Sequence, residues 1–121
     1  MMKGKKKTAK DRWIRVYALL DPDTRVVKYV GRTYQEISYR RSAHIKRAKE
    51  GKDTPIYRWI RELIAERRMP KIILVDKVRE SEWDDNESKA IAKFVADGFT
   101  LLNTYQTGDD DETTEEASKG T

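Results

Sequence analysis

Two runs rich in β-branched and aromatic residues, Trp13 to Leu20 (WIRVYALL) and Arg25 to Gly31 (RVVKYVG), flank the tetrapeptide DPDT. Valine, isoleucine, tyrosine and tryptophan favour extended backbone, while Asp, Pro and Thr in a short link favour a turn. The pattern predicts an antiparallel hairpin, and no other feature of the chain restricts the fold as strongly. Pairing Leu20 with Val26 sets the expected register, so that Leu19 faces Val27 and Tyr17 faces Tyr29. Alternation then gathers Ile14, Val16, Ala18, Leu20, Val26 and Val30 on a core face. The two tyrosines fall opposite each other on the less apolar face, close enough to act together.

Beyond the hairpin the apolar period lengthens. Glu36 to Lys49 has helical spacing, with Ile37, Arg41, Ile45 and Ala48 on one stripe, and Gly51 ends it. Thr54 and Pro55 suit an N-cap and first helical residue. The helix they open, PIYRWIRELIAERR, is expected to bury Ile56, Trp59, Ile60, Leu63 and Ile64. Pro70 closes that segment, and Lys71 to Val78 (KIILVDKV) reads as a third strand. A last amphipathic helix is expected from Ser81 to Asp97 through Trp83, Ala90, Ile91, Phe94 and Val95, closed by Gly98. Phe99 to Asn103 reads as a short extended apolar segment. The order β-β-α-α-β-α gives an α+β fold, a small, mainly antiparallel three-stranded sheet flanked by helices. Trp13, Trp59 and Trp83 are read as packing residues and not as base-stacking platforms.

Charge divides the chain. Residues 1–11 are lysine-rich and residues 109–121 are acidic, and both lack the apolar side chains needed to offset ordering entropy. Both are expected to be disordered tails around one domain at 12–108. The 121-residue chain carries 26 Lys and Arg against 21 Asp and Glu, a formal net charge of +5. Its last thirteen residues hold six acids and one lysine, so residues 1–108 carry 25 against 15, a net of +10. Such a balance suits a polyanion, most simply nucleic acid, though an acidic protein would also satisfy it. Cysteine is absent, which excludes disulfides, thiolate zinc sites and cysteine nucleophiles. No apolar run approaches the roughly 20 residues of a membrane span, and no apolar stretch follows the lysines as in a secretory signal. A cytoplasmic protein is expected.

A few residues are not explained by the core. Glu87 lies four residues before Ile91, on or beside a buried helical stripe, where a carboxylate is costly unless paired or bound to a metal. A solvated edge position would also account for it. Arg40 and His44 share a helix face at the border of an apolar stripe. An arginine can neutralise phosphate, and the chain's one histidine could pass a proton near neutral pH. Two surface residues on a basic helix is the plainer account. Asn103, at the end of an apolar segment, commonly caps or turns backbone.

Taken in order, these residues resemble the GIY-YIG nuclease family. Arg15-Val16-Tyr17 matches the first of its naming motifs and Tyr29-Val30-Gly31 the second. Arg40 and His44 match its Arg-xxx-His helix, and WIREL with MPKIILVDKV matches the helix, proline and strand that follow. Glu87 within DDNESKAIAKF corresponds to its metal-binding glutamate, and Asn103 in GFTLLN to its late asparagine. The match spans Trp13 to Gly108. Arg15 stands where the first motif has glycine, and TYQTGDDDE replaces the Gly-Gly pair that many relatives carry after the asparagine.

The resemblance implies a GIY-YIG-like fold and a metal-dependent endonuclease acting on phosphodiesters, most simply in DNA. It implies that Glu87 holds one Mg²⁺ or Mn²⁺ and that Tyr17 and Tyr29 orient the attacking water, one of them as its base. Arg40 would clamp the scissile phosphate, Arg32 would be a second phosphate contact, His44 would relay a proton, and Asn103 would support the site. A stand-alone enzyme of phage or bacterial type is expected, in a prokaryotic cell or phage-infected host. Its preference would be for structured or branched DNA, or its specificity would come from a protein partner. The alternative is a non-catalytic nucleic-acid-binding module on the same fold. The acidic tail is a candidate DNA mimic that restrains the basic site in cis, and oligomeric state is left open.

Overall fold

Asp21 shapes the turn that the hairpin depends on. Its Oδ1 accepts from the backbone N–H of Asp23 at 2.8 Å and of Thr24 at 2.9 Å, and its own N–H donates to Val26 O at 3.0 Å. Those backbone donors, Thr24 first, together with Arg68, lower its carboxyl pKa to about 2. Arg25 completes the loop in the left-handed region, at φ 65°. In the computed structural model, which describes residues 11–103, the loop therefore takes in Arg25 and Val26. Strand β1 spans Trp13–Leu20 and β2 spans Val27–Thr33.

The longer loop changes the register from the expected one. Tyr17 pairs with Gly31 and Leu19 with Tyr29, while Leu20 pairs with Val27 across an irregularity that leaves Lys28 as the extra residue. Val26, expected in the core, is 37% exposed, and Val27 takes its place. From Tyr29 onward the slip is two residues and preserves the face of each side chain, so Tyr17 and Tyr29 still share a face although they are not cross-strand partners.

The chain continues through helix α1 (Ile37–Lys49), helix α2 (Pro55–Ala65), strand β3 (Lys71–Arg79), a 3₁₀ turn at Glu80–Glu82 and helix α3 (Asn86–Ala96). The sheet is antiparallel throughout, in the order β2-β1-β3. The α+β architecture is as expected, with helices on both faces. One face of the sheet, bearing Tyr17, Leu19 and Tyr29, packs against Ala48 of α1 and Ile56, Tyr57 and Ile60 of α2. On the other, Val16, Ala18, Leu20, Val27 and Val30 meet Ala90 of α3, flanked by Trp83, Ile91 and Phe94. Central β1 is covered on both faces, which is why VYALL reads as an unbroken apolar run and not an alternating one.

Several details at the ends of elements differ from expectation. Helix α3 starts at Asn86 and not at Ser81, because Asp85 caps it, accepting from Ser88 N at 3.3 Å. Thr54 precedes α2 but makes no side-chain cap hydrogen bond. Asp11, placed in the N-terminal tail by sequence, bonds Ser81 N at 2.7 Å and Ser81 Oγ at 2.9 Å. The rest of the expected basic tail, the end of the expected domain (104–108) and the acidic tail lie outside the described residues. Among those described, no helix is long and apolar enough to cross a membrane.

Candidate active site

Gly31 allows the site to form. The Tyr17 ring lies directly over it, and a Cβ built on Gly31 would stand 2.5 Å from the phenol oxygen and 2.7 Å from the ring carbon that bears it. Only glycine lets the two strands carry a tyrosine folded across its partner in this way. On β1's other side, the pairing with β3 shifts between Val16 and Tyr17. Irregularities of this kind re-aim a neighbouring side chain.

Helix α1 brings Arg40 and His44 to the same phenol. Tyr17 Oη and His44 Nε2 share a hydrogen bond of 2.7 Å, and Arg40 Nε donates to Tyr17 Oη at 3.3 Å. His44 Nδ1 is 3.2 Å from the hydroxyl of Tyr57 on α2. Tyr29 closes the group edge-on, its ring centroid 5.4 Å from that of His44 and 6.3 Å from that of Tyr17. Arg40 and His44 thus occupy the centre of α1's buried face, not its border: Tyr17 and His44 are 0% exposed and Arg40 1%. Burial, reinforced by the Arg40 and Arg47 cations, holds the His44 pKa well below its usual value, so the imidazole is neutral at pH 7. A neutral imidazole carries one N–H. With that hydrogen on Nδ1 and directed at Tyr57, Nε2 is left to accept the Tyr17 proton.

Glu87 stands on the opposite face of β2. It is 4% exposed in the first turn of α3, the one buried carboxylate among the described residues. The positive end of the helix favours its charge. Its Oε1 is 3.9 Å from Nε of Arg32, whose guanidinium lies 5.2 Å from the Trp83 ring centroid. Arg32 follows Gly31 directly, so the strand's alternation sends it away from the tyrosine face. Residues Tyr29 to Arg32 therefore carry both halves of the constellation on a single stretch of β2.

Asn103 serves the backbone of that stretch. Its Oδ1 accepts from Val30 N at 3.0 Å and its Nδ2 donates to Val30 O at 2.7 Å. Leu102 N donates to Lys28 O at 2.6 Å. The side-chain amide thereby imitates a neighbouring strand and covers the edge of β2 between Tyr29 and Gly31.

Of the expected residues, Tyr17, Tyr29, Arg40 and His44 come together directly. Arg32 and Glu87 form a pair across the strand, and Asn103 braces β2 between them. Tyr57 was not anticipated from sequence. Its signal was its place three residues before Ile60, which turns a phenol into the buried stripe of α2. No group of three or more His, Asp or Glu side chains suited to a metal occurs among the described residues. A single buried carboxylate fits a hard cation that keeps a shell made mostly of water, and fits no ion that demands several protein donors. Compared with protein-family models, with curated proteins and with solved structures, the chain matches none.

Proposed function

We propose that the chain is a metal-dependent endonuclease of GIY-YIG type that hydrolyses phosphodiester bonds in DNA. The observation that carries this reading is the convergence of Arg40 and His44 on one phenol oxygen, at 3.3 and 2.7 Å, with Tyr29 packed beside them. A phenol ordinarily ionises near pH 10, so a tyrosine base needs help at neutral pH. The Arg40 guanidinium favours the phenolate, and His44 Nε2, neutral at rest, accepts the hydrogen bond of the phenol O–H and relays its proton onward without keeping it. The hydrogen bond between His44 Nδ1 and the Tyr57 hydroxyl, at 3.2 Å, holds the ring in this orientation. The phenolate oxygen of Tyr17 then accepts a proton from the attacking water, with Tyr29 alongside to position it. The charges of Arg40 and Arg32 draw the phosphate and offset its growing negative charge. Glu87 would hold Mg²⁺ or Mn²⁺ through its carboxylate, and the ion, when bound, supplies charge neutralisation at the phosphate and acidifies bound water. The reading includes a cytoplasmic setting, in a prokaryotic cell or a phage-infected host, in keeping with the absence of cysteine.

Burial favours a second reading. With Tyr17 and His44 at 0% exposure and Arg40 at 1%, the same network can serve as a polar core that fixes α1 on the sheet. The protein would then bind nucleic acid without cutting it. Incubation of supercoiled plasmid with Mg²⁺ or Mn²⁺, beside Glu87→Ala and Tyr29→Phe, separates the two. Nicking by the parent that both variants lose supports the nuclease. Binding without cleavage of any DNA or RNA substrate under either metal sinks it in favour of the module.

A further inference from the structure

Helices α1 and α2 cover the tyrosine face only in part. Beyond Tyr17 towards the start of β1, that face continues as Arg15 and Trp13, paired across the sheet with Lys77 and Arg79 of β3. Trp13 is 38% exposed, unlike Trp59 and Trp83, so it is not the packing residue its sequence context suggested. The guanidinium carbon of Arg79 lies 4.0 Å and Nζ of Lys77 4.7 Å from the centroid of the Trp13 ring. At the same end of the sheet, the Arg12 guanidinium stacks on Tyr34 at 3.6 Å. Two aromatic rings and three cations are thus gathered at one end of the sheet.

The carboxylates nearby are engaged. Glu80 accepts from Tyr34 at 2.7 Å and from Arg12 at 3.3 Å, and the Asp11 carboxylate is held by Ser81. Lys77 makes no ion pair with a described residue. The chain as a whole is cationic, at +5. A partly open indole rimmed by cations suits a ligand that offers flat rings and negative charge in alternation, as a nucleic-acid strand does. An acidic peptide would use the cations and leave the indole without a partner.

We propose that this end of the sheet is a subsite for a nucleic-acid strand, in which a base stacks on Trp13 and phosphates to either side meet Lys77 and Arg79. The assignment rests on the nuclease reading for its purpose, since Trp13 lies four residues from Tyr17 on the same face of the same strand, about 13 Å away. One bound strand can span both. The subsite holds the substrate beside the scissile position and prefers an unpaired, stackable base.

The test uses the full chain, a fluorescently labelled single-stranded oligonucleotide and EDTA, so that binding is read without cleavage. Trp13→Ala should weaken binding by about tenfold or more, and Trp13→Phe should retain most of it. Lys77→Ala should lower the slope of log affinity against log salt by about 0.7. An abasic site in the oligonucleotide should weaken binding to the parent and to Trp13→Phe and leave Trp13→Ala unaffected, with circular dichroism and urea denaturation of Trp13→Ala matching the parent to exclude a folding defect. Equal binding of intact and abasic strands by the parent overturns the proposal and leaves a surface that reads charge alone. Competition by heparin as effective, per charge, as that by the oligonucleotide overturns it likewise. Base-dependent binding without nicking of any substrate would remove the nuclease reading and keep the subsite. Nicking without dependence on Trp13 would do the reverse.

Discussion

The two faces of β1 are built on different terms. Towards α3, Val16, Ala18 and Leu20 meet other apolar side chains, and the contact is non-directional. Towards α1, Tyr17 meets Arg40 and His44 through hydrogen bonds in a dry interior, where each polar atom needs its partner in place. The first face can absorb a change of shape by repacking, whereas the second loses its geometry with the loss of one atom. A small domain that keeps so much polar chemistry inside depends on its other face for cohesion.

The largest effect that would sharpen this contrast is expected from Tyr17→Phe, which removes a single oxygen. Plasmid nicking should fall by about 10²- to 10⁴-fold, as for a lost general base. Urea denaturation should show a loss of about 1–3 kcal/mol, because Arg40 and His44 lose a buried partner. Retained nicking would break the comparison by making the phenol structural. Gly31→Ala comes next, and overpacking against the Tyr17 ring should cost about 1–3 kcal/mol. The cost should shrink in a Tyr17→Ala background, and a cost equal in both backgrounds would mean that the close approach is not what selects glycine.

The pH dependence of stability isolates His44. Its folded pKa is lowered, so the unfolded chain binds the extra proton, and stability falls as pH drops below about 6.5 and is flat above it. The slope contributed by this group is at most about 1.4 kcal/mol per pH unit. Melting temperatures between pH 5 and 8 should show that slope in the parent and its absence in His44→Gln. A parallel decline in both would place the acid sensitivity elsewhere. The smallest effect is expected from Asn103→Ala, about 1 kcal/mol, with faster hydrogen exchange at the Val30 amide as its particular mark. Unchanged protection there would show that the edge of β2 is held by its other contacts.

The faces of the hairpin were legible in the sequence, and its register was not. A period of two survives a slip of two, so Tyr17 and Tyr29 were assigned to one face for a sound reason despite wrong partners. The slip came from Asp21, whose side chain captures two backbone N–H groups and lengthens the loop beyond what DPDT suggests. Arg40 and His44 were placed at the margin of α1 because stripes are traced by apolar residues, and the centre of this one is polar. Tyr57 went unnoticed for the converse reason, a hydroxyl hidden in an apolar pattern. The start of α3 was set too early because Trp83 falls at helical spacing from Ala90, while the cap that decides the matter is Asp85. Trp13 was taken for core because a tryptophan in an apolar run usually is, but it lies at the strand's outer end, past the cover of the helices.

Asn103 has a consequence for how the protein comes into being. It closes the backbone of Val30 across a sequence separation of 73 residues. As the chain leaves the ribosome, β2 is made early and yet remains open along one side until almost the whole described length has emerged. The strand that bears Tyr29, Gly31 and Arg32 is therefore secured last, and a product of interrupted synthesis that stops before residue 103 lacks the clasp on the part of the sheet where the candidate site is built.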